Sequence, residues 1–403
     1  MKSFCKNAVV FAFAAAIIVF GLASGQVKDS LNTVIPGFVQ NLKVAGPVAA
    51  FNILADTIEK SVSDNLRYHD AAMDLNSVYQ RILGTAVVEK DDMTVVRAKN
   101  NYLGNPRAEV PGKTLARYAG NVAQLCELSR KNGAEFVYIM APTKGYSLSY
   151  PANIKDYTAL NCTRFADNLK KMQVPFLNLI DCAAKDGISD EKMFFATDHH
   201  WRPEMGIWAS EKLTDFLNSE YGFVCDAELW NYDNYNITEY KNWFLGSQGK
   251  KAGRWFTPLG ADNINIITPS FETDLVEEQP VKGLVRQGSF KDLLYMDNIA
   301  TKAYYDLNPY AAYSGGDFRE QIITNRLNPR GKTAIIIRDS YGCAFTPFIS
   351  LAMSKTYVVD IRDGGYVGEK VNLTEYISSV KPDYVFVLYT GLTASDSLYT
   401  FLD

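Results

Sequence analysis

Three runs of consecutive apolar residues constrain the fold of this chain more than any other feature. They are residues 135–141 (EFVYIMA), 333–338 (TAIIIR) and 383–389 (DYVFVLY). A strand with one solvated face alternates apolar and polar residues, so an unbroken run reads as a strand buried on both faces. Shorter strands are expected at 175–180 and 356–361, with segments of helical periodicity between the runs. Residues 115–131 read as a helix stopped by Asn132-Gly133, and residues 164–172 as another. Pro203 opens a third, with Met205, Ala209, Leu213 and Phe216 on one face, and a fourth lies near 342–354. This alternation predicts an α/β domain whose mainly parallel sheet is covered on both faces.

Residues 221–330 break the rhythm with Tyr, Asn, Gly and short apolar runs such as 263–269 (NINIITP). We expect an inserted, partly β region there rather than an independent domain. Residues 26–110 are mixed, with amphipathic stretches around 51–58 and 71–83. They predict a helical neck and the start of the domain, which itself spans 111–403. At the N-terminus, Lys2 and Lys6 precede an apolar run over 8–23 broken only by Gly21. Residues 1–25 therefore predict a signal peptide or a membrane anchor, and place the body of the protein at the outer face of the membrane or in the secreted fraction.

A hydrophobic content of 47% with 21% charged residues describes a globular protein, and a net charge of −4 gives no basic footprint for nucleic acid. Six cysteines include Cys5 in the targeting segment, and no CxxC spacing occurs. That argues against a zinc site and against a dense disulfide framework. Cys162–Cys182 is the one pair to watch, and Cys343 reads as a small buried hydrophobe.

Two short blocks carry the chemistry. Residues 197–201 read TDHHW, which puts two of the chain's three histidines directly after Asp198. About 140 residues later, the strand 333–338 runs into Asp339-Ser340. A serine at the carboxyl edge of a parallel sheet stands where α/β folds build their sites. A base within reach, and a carboxylate to fix its tautomer, would make it a nucleophile. Asp198 and His200, two apart in an extended loop, point the same way, with His199 as the alternative base. Backbone N–H groups at the following helix start would hold an oxyanion. Lys144, after the strand 135–141, and Gly316, some 20 residues before the serine strand, are weaker candidates for the site wall or oxyanion hole. The simpler alternative is that Asp339, Ser340 and the TDHHW residues only cap helices. Asp-His-His also occurs in metal-dependent phosphoesterases, but further ligands are needed and His69 is the only other histidine. We expect no metal and no cofactor.

With these residues in hand, the chain resembles the SGNH-hydrolase-like proteins of the alginate O-acetylation group, and most closely the bacterial DHHW-motif family, over roughly residues 50–400. The resemblance implies a three-layer α/β/α fold with a circularly permuted order of motifs. The Asp-x-His motif falls on Asp198 and His200, and the nucleophile on Ser340. It further implies a serine acyltransferase or esterase acting on acetyl esters of a polysaccharide, with a membrane O-acyltransferase as a partner. The departures are Arg338, which makes the serine block RDS where the family carries a small residue, the lack of a counterpart to the SGNH asparagine, and GGD at 315–317 in place of a Gly-Asn pattern. A non-catalytic surface protein with a degenerate fold is the alternative.

Overall fold

The computed structural model describes residues 69–90, 93–363, 368–390 and 396–402. The expected signal peptide or anchor at 1–25, and the neck up to residue 68, lie outside the described residues. The chain divides into two compact units at Asn76 and Ser77, and the helix His69–Ile82 is the first described element. Within the stretch expected to hold the neck and the start of the domain, residues 87–104 form a three-stranded antiparallel sheet of β1 (Val87–Lys90), β2 (Met93–Arg97) and β3 (Leu103–Gly104). Among the described residues, no helix is long and apolar enough to cross a membrane.

The central sheet has eight strands. They are β4 (Glu135–Ala141), β5 (Phe176–Asn178), β8 (Leu275–Gln279), β9 (Leu284–Gly288), β10 (Glu320–Asn325), β11 (Thr333–Arg338), β12 (Lys355–Val359) and β13 (Tyr384–Thr390). Their order across the sheet is β5-β4-β13-β11-β12-β10-β8-β9. The first five strands pair in parallel, and β10, β8 and β9 add antiparallel. The inserted region thus supplies the antiparallel wing of the main sheet, together with a separate hairpin of β6 (Tyr235–Phe244) and β7 (Asp262–Pro269).

The three long apolar runs form the middle of this sheet, and their alternate residues enter two different cores. Val137, Ile139, Ala334, Ile336, Phe386 and Leu388 face one side. Phe136, Tyr138, Ile335, Ile337, Val385 and Val387 face the other. Helices Gly112–Lys131, Thr158–Lys171 and Leu373–Val380 cover the second core, and Leu179–Lys185, Glu204–Tyr221 and Gly342–Ile349 cover the first. This is the three-layer α/β/α fold. Each fully buried Ile or Val contributes on the order of 1.5–3 kcal/mol, so the central strands leave little freedom in register.

One sequence expectation fails locally. Strand 175–180 stops at Asn178, because that side chain accepts the Ile180 N–H at 3.1 Å and caps a helix over Leu179–Lys185. The five cysteines within the described residues are all free thiols, Cys162 and Cys182 included.

Helices Glu204–Tyr221 and Gly342–Ile349 pack against each other very closely. A Cβ at Gly206 would sit 1.8 Å from the Ala344 carbonyl oxygen. Backbone cannot move aside as a side-chain tip can, so Gly206→Ala should cost at least about 1–3 kcal/mol. Urea unfolding of the variant should show a lower midpoint than that of the wild type.

Candidate active site

Strand β11 ends at Arg338, and Asp339 turns the chain. Its Oδ1 accepts the Tyr341 N–H at 3.0 Å, and its Oδ2 accepts the Thr390 N–H and hydroxyl at 2.8 and 3.1 Å. The turn is therefore tied to the end of β13, and Ser340 stands on it at the carboxyl edge of the parallel strands. Arg338 is fully buried beneath. It bonds the Asp317 carboxylate and donates to the Gly316 carbonyl at 2.9 Å. Arg362 completes the cluster, 2.5 Å from Asp360 and 2.9 Å from Asp317. Buried Arg338 thus has its own counter-charges. Burial would raise the Asp317 carboxyl, but Arg338 and Arg362 outweigh it and hold it at about 2.

The TDHHW loop is built around buried polar anchors. Asp262 accepts the N–H groups of Ala196 and Thr197 at 2.7 and 2.8 Å, and the Thr197 hydroxyl at 2.6 Å. From the other side comes Lys144. Its Nζ donates to the carbonyls of Phe195, Ala196 and Asp198 at 2.9, 3.1 and 2.7 Å, and to Gln248 Oε1 at 2.9 Å. Burial lowers this ammonium to about 7, opposed by the carboxylates of Asp262 and Asp198. Gly246 presses on the loop so closely that a Cβ there would lie 2.1 Å from that of Asp198. Trp201 Nε1 donates to the Tyr341 carbonyl at 3.1 Å, which links the loop to the serine turn.

Across this junction, His200 Nε2 lies 2.7 Å from Ser340 Oγ, and His200 Nδ1 lies 2.5 Å from Asp198 Oδ1. Asp198 also accepts the His200 N–H at 2.9 Å and the Ser247 N–H at 2.6 Å. Burial would raise its carboxyl, but His200, His199 and these hydrogen bonds hold it well below the ordinary value. An ionised carboxylate only accepts, so Nδ1 carries the imidazole proton and Nε2 is free to accept from the serine hydroxyl. Tyr310 stacks on the His200 ring, with centroids 4.2 Å apart and planes within 19°. His199 lies against the His200 ring, with centroids 3.8 Å apart, and has other hydrogen-bond partners. Its Nδ1 is 2.8 Å from Ser247 Oγ, and its carbonyl accepts the Tyr341 hydroxyl.

The helix-start N–H groups expected to bind an oxyanion are already used. Tyr341 donates to Asp339 Oδ1, Gly342 to the Asp339 carbonyl at 3.0 Å and Cys343 to the Ser340 carbonyl at 3.1 Å. The Ser340 N–H remains the uncommitted donor of this turn among the described residues. A cavity of about 60 Å³ adjoins, with Arg107, Thr143, Lys144, His199, Tyr341 and Thr390 in its wall. Lys144 borders this cavity, with its Nζ turned to the loop carbonyls. Gly316 does not line it, because its segment is held on the Arg338 side of the strand. Ligand atoms of Asp198, His199 and His200 lie within 4.8 Å of one another, close enough to hold a metal ion. Both nitrogens of His200 are already engaged by Asp198 and Ser340, which favours proton transfer over coordination. Sequence reasoning missed Ser247, Gln248, Asp262 and Tyr310, and no spacing or motif connects these insertion residues to Asp198.

No protein-family model matches the chain, and no curated protein matches it by sequence. Solved structures do. PatB1 of Bacillus cereus, solved with a sulfonyl adduct, superposes with a TM-score of 0.63 at 19% identity, over 79% of this chain and 99% of its own. This chain shares its fold. A DHHW family protein from Eubacterium siraeum superposes with a TM-score of 0.56 at 18% identity, over 78% of this chain and 96% of its own. The O-acetyltransferase domain of Pseudomonas putida AlgJ stands further off, at TM-score 0.43 and 13% identity over 77% and 93%. The first two likenesses show a shared α/β/α fold.

Acid should weaken the cluster beneath the serine. The Asp317 carboxyl is depressed in the folded state, to about 2 against about 4 when unfolded, so its ionisation stabilises the fold above pH 4. That stability is lost as the pH falls from 4 towards 2. Urea midpoints measured from pH 6 to pH 2 should converge for the wild type and Asp317→Asn at the acid end.

Proposed function

We propose that this chain is an exported serine acyltransferase or esterase that moves an acetyl group to or from a polysaccharide. The observation that carries the reading is the continuous hydrogen-bond chain from Ser340 through His200 to Asp198. In the proposed reaction, Ser340 Oγ attacks the acetyl carbonyl carbon as its proton passes to His200 Nε2. The electron pair moves to the carbonyl oxygen, beside the Ser340 N–H. Collapse expels the leaving alkoxide, which takes the proton back from His200, and acetyl-Ser340 remains. A sugar hydroxyl or water then gives its proton to His200 and attacks the ester, which restores the serine. Asp198 holds the tautomer and stabilises the imidazolium throughout. As a transferase, the protein would receive its acetyl group from a donor delivered by a membrane O-acyltransferase partner; as an esterase it needs none.

The sulfonyl adduct of PatB1 suggests a direct test. A sulfonyl fluoride should label the purified protein at Ser340, read as a mass shift on the peptide that contains it. Ser340→Ala should take no label and lose at least about 10³-fold of its activity on acetyl esters. His200→Ala should fall comparably, and His199→Ala much less. Unchanged activity in Ser340→Ala would overturn the assignment, and an inert wild type would leave the fold as a non-catalytic surface module. Product analysis with water or an oligosaccharide as acceptor then separates esterase from transferase.

A further inference from the structure

The cavity lined by His199 and Tyr341, the chain neighbours of His200 and Ser340, has a cation in its wall that the fold itself does not use. Arg107 lies in the segment between β3 and the helix Gly112–Lys131. Its backbone is fixed on both sides, with its N–H donated to Asp156 Oδ1 at 2.8 Å and its carbonyl accepting the Tyr157 N–H at 3.0 Å. Its side chain is exposed, and the guanidinium makes no hydrogen bond or ion pair with the described residues. The carboxylates around it are otherwise engaged. Asp156 is taken by backbone N–H groups and the Thr158 hydroxyl, and Asp198 by His200 and Ser247. Arg107 nevertheless shares the cavity wall with His199 and Tyr341, and its charge is felt at both rings.

Most exposed arginines are simply solvated. Arg107 differs because its backbone is pinned and because it shares a cavity wall with His199 and Tyr341, the chain neighbours of His200 and Ser340. His199 stands across that space with its Nδ1 committed to Ser247. A planar guanidinium presents paired donors that match a carboxylate or a phosphate.

We propose that Arg107 binds an anionic group, a carboxylate or a phosphate, on the acceptor glycan, so that this site selects acidic acceptors. The inference rests on the Ser340 reading above. Substrate enters with its charge on Arg107 and a hydroxyl directed to the acetyl-serine, and the chemistry at Ser340 is unchanged. Selection then resides in binding, so its loss should appear in KM more than in kcat.

The test uses the full chain with p-nitrophenyl acetate as acetyl donor and three acceptor classes: a neutral oligosaccharide, a uronate oligosaccharide and a phosphate-bearing oligosaccharide. The wild type should prefer at least one acidic acceptor in kcat/KM by about tenfold or more over the neutral one, as expected for a hydrogen bond to a charged group. The preference should shrink as salt is raised. Arg107→Gln should abolish it through KM, and Arg107→Lys should keep part of it. Which acidic class is preferred distinguishes carboxylate from phosphate. Equal use of all three by the wild type, or an undiminished preference in Arg107→Gln, overturns the proposal while leaving the Ser340 reading intact. Failure to form acetyl-Ser340 would instead sink the Ser340 reading. In that case calorimetric binding of the same oligosaccharides to wild type and Arg107→Gln decides on Arg107, with equal affinities counting against it.

Discussion

The contact between Gly206 and the Ala344 carbonyl sets the geometry on which the site depends. Each of the two chemistry-bearing segments leads into a helix, Asp198–His200 into Glu204–Tyr221 and Ser340 into Gly342–Ile349. With no Cβ at Gly206, the backbones of these helices meet. Their N-termini are thereby brought together, and the loops before them converge. Residues separated by about 140 positions then lie within a hydrogen bond of each other. A methyl group at this crossing would separate the histidine from the serine without touching either.

Convergence alone would not hold a loop as irregular as TDHHW. Its carbonyls are gathered by one buried ammonium, Lys144, and its N–H groups by one buried carboxylate, Asp262. Burying charges is costly unless each is fully solvated by partners. Here the partners are the backbone groups that a loop cannot satisfy by itself. The same logic applies beneath Ser340, where Arg338 and Arg362 share Asp317 and Asp360. Two charged clusters therefore flank the hydrogen-bond chain of Ser340, His200 and Asp198 and fix its loops, while Ser340 remains only partly buried.

The fold is shared with proteins below 20% identity, so the architecture is set by burial pattern rather than by particular residues. What individualises this chain is local. It carries Arg338 before the Ser340 turn and Arg107 at the cavity wall. The antiparallel wing β8–β10 is contributed by a segment that reads, in sequence, as an irregular insertion.

The sequence by itself determined the layers. Runs at 135–141, 333–338 and 383–389 are apolar at every second position on both faces, and only a sheet sandwiched between helices buries both. It also singled out Asp198, His200 and Ser340, because rare residue types stood at strand and helix ends. Tertiary structure alone decided the rest. The strand after Pro175 was cut short by an asparagine cap, a competition of local hydrogen bonds that apolar periodicity does not register. Residues 87–104 took up a sheet through pairings that no helical pattern announced. Ser247, Gln248, Asp262 and Tyr310 reached the site from the insertion, and the helix-start N–H groups were consumed by Asp339 and the Ser340 carbonyl. Periodicity reports which face of an element is buried, because burial repeats along the chain. It carries no information on which distant backbone group a buried charge will meet, since that is fixed only when the layers pack.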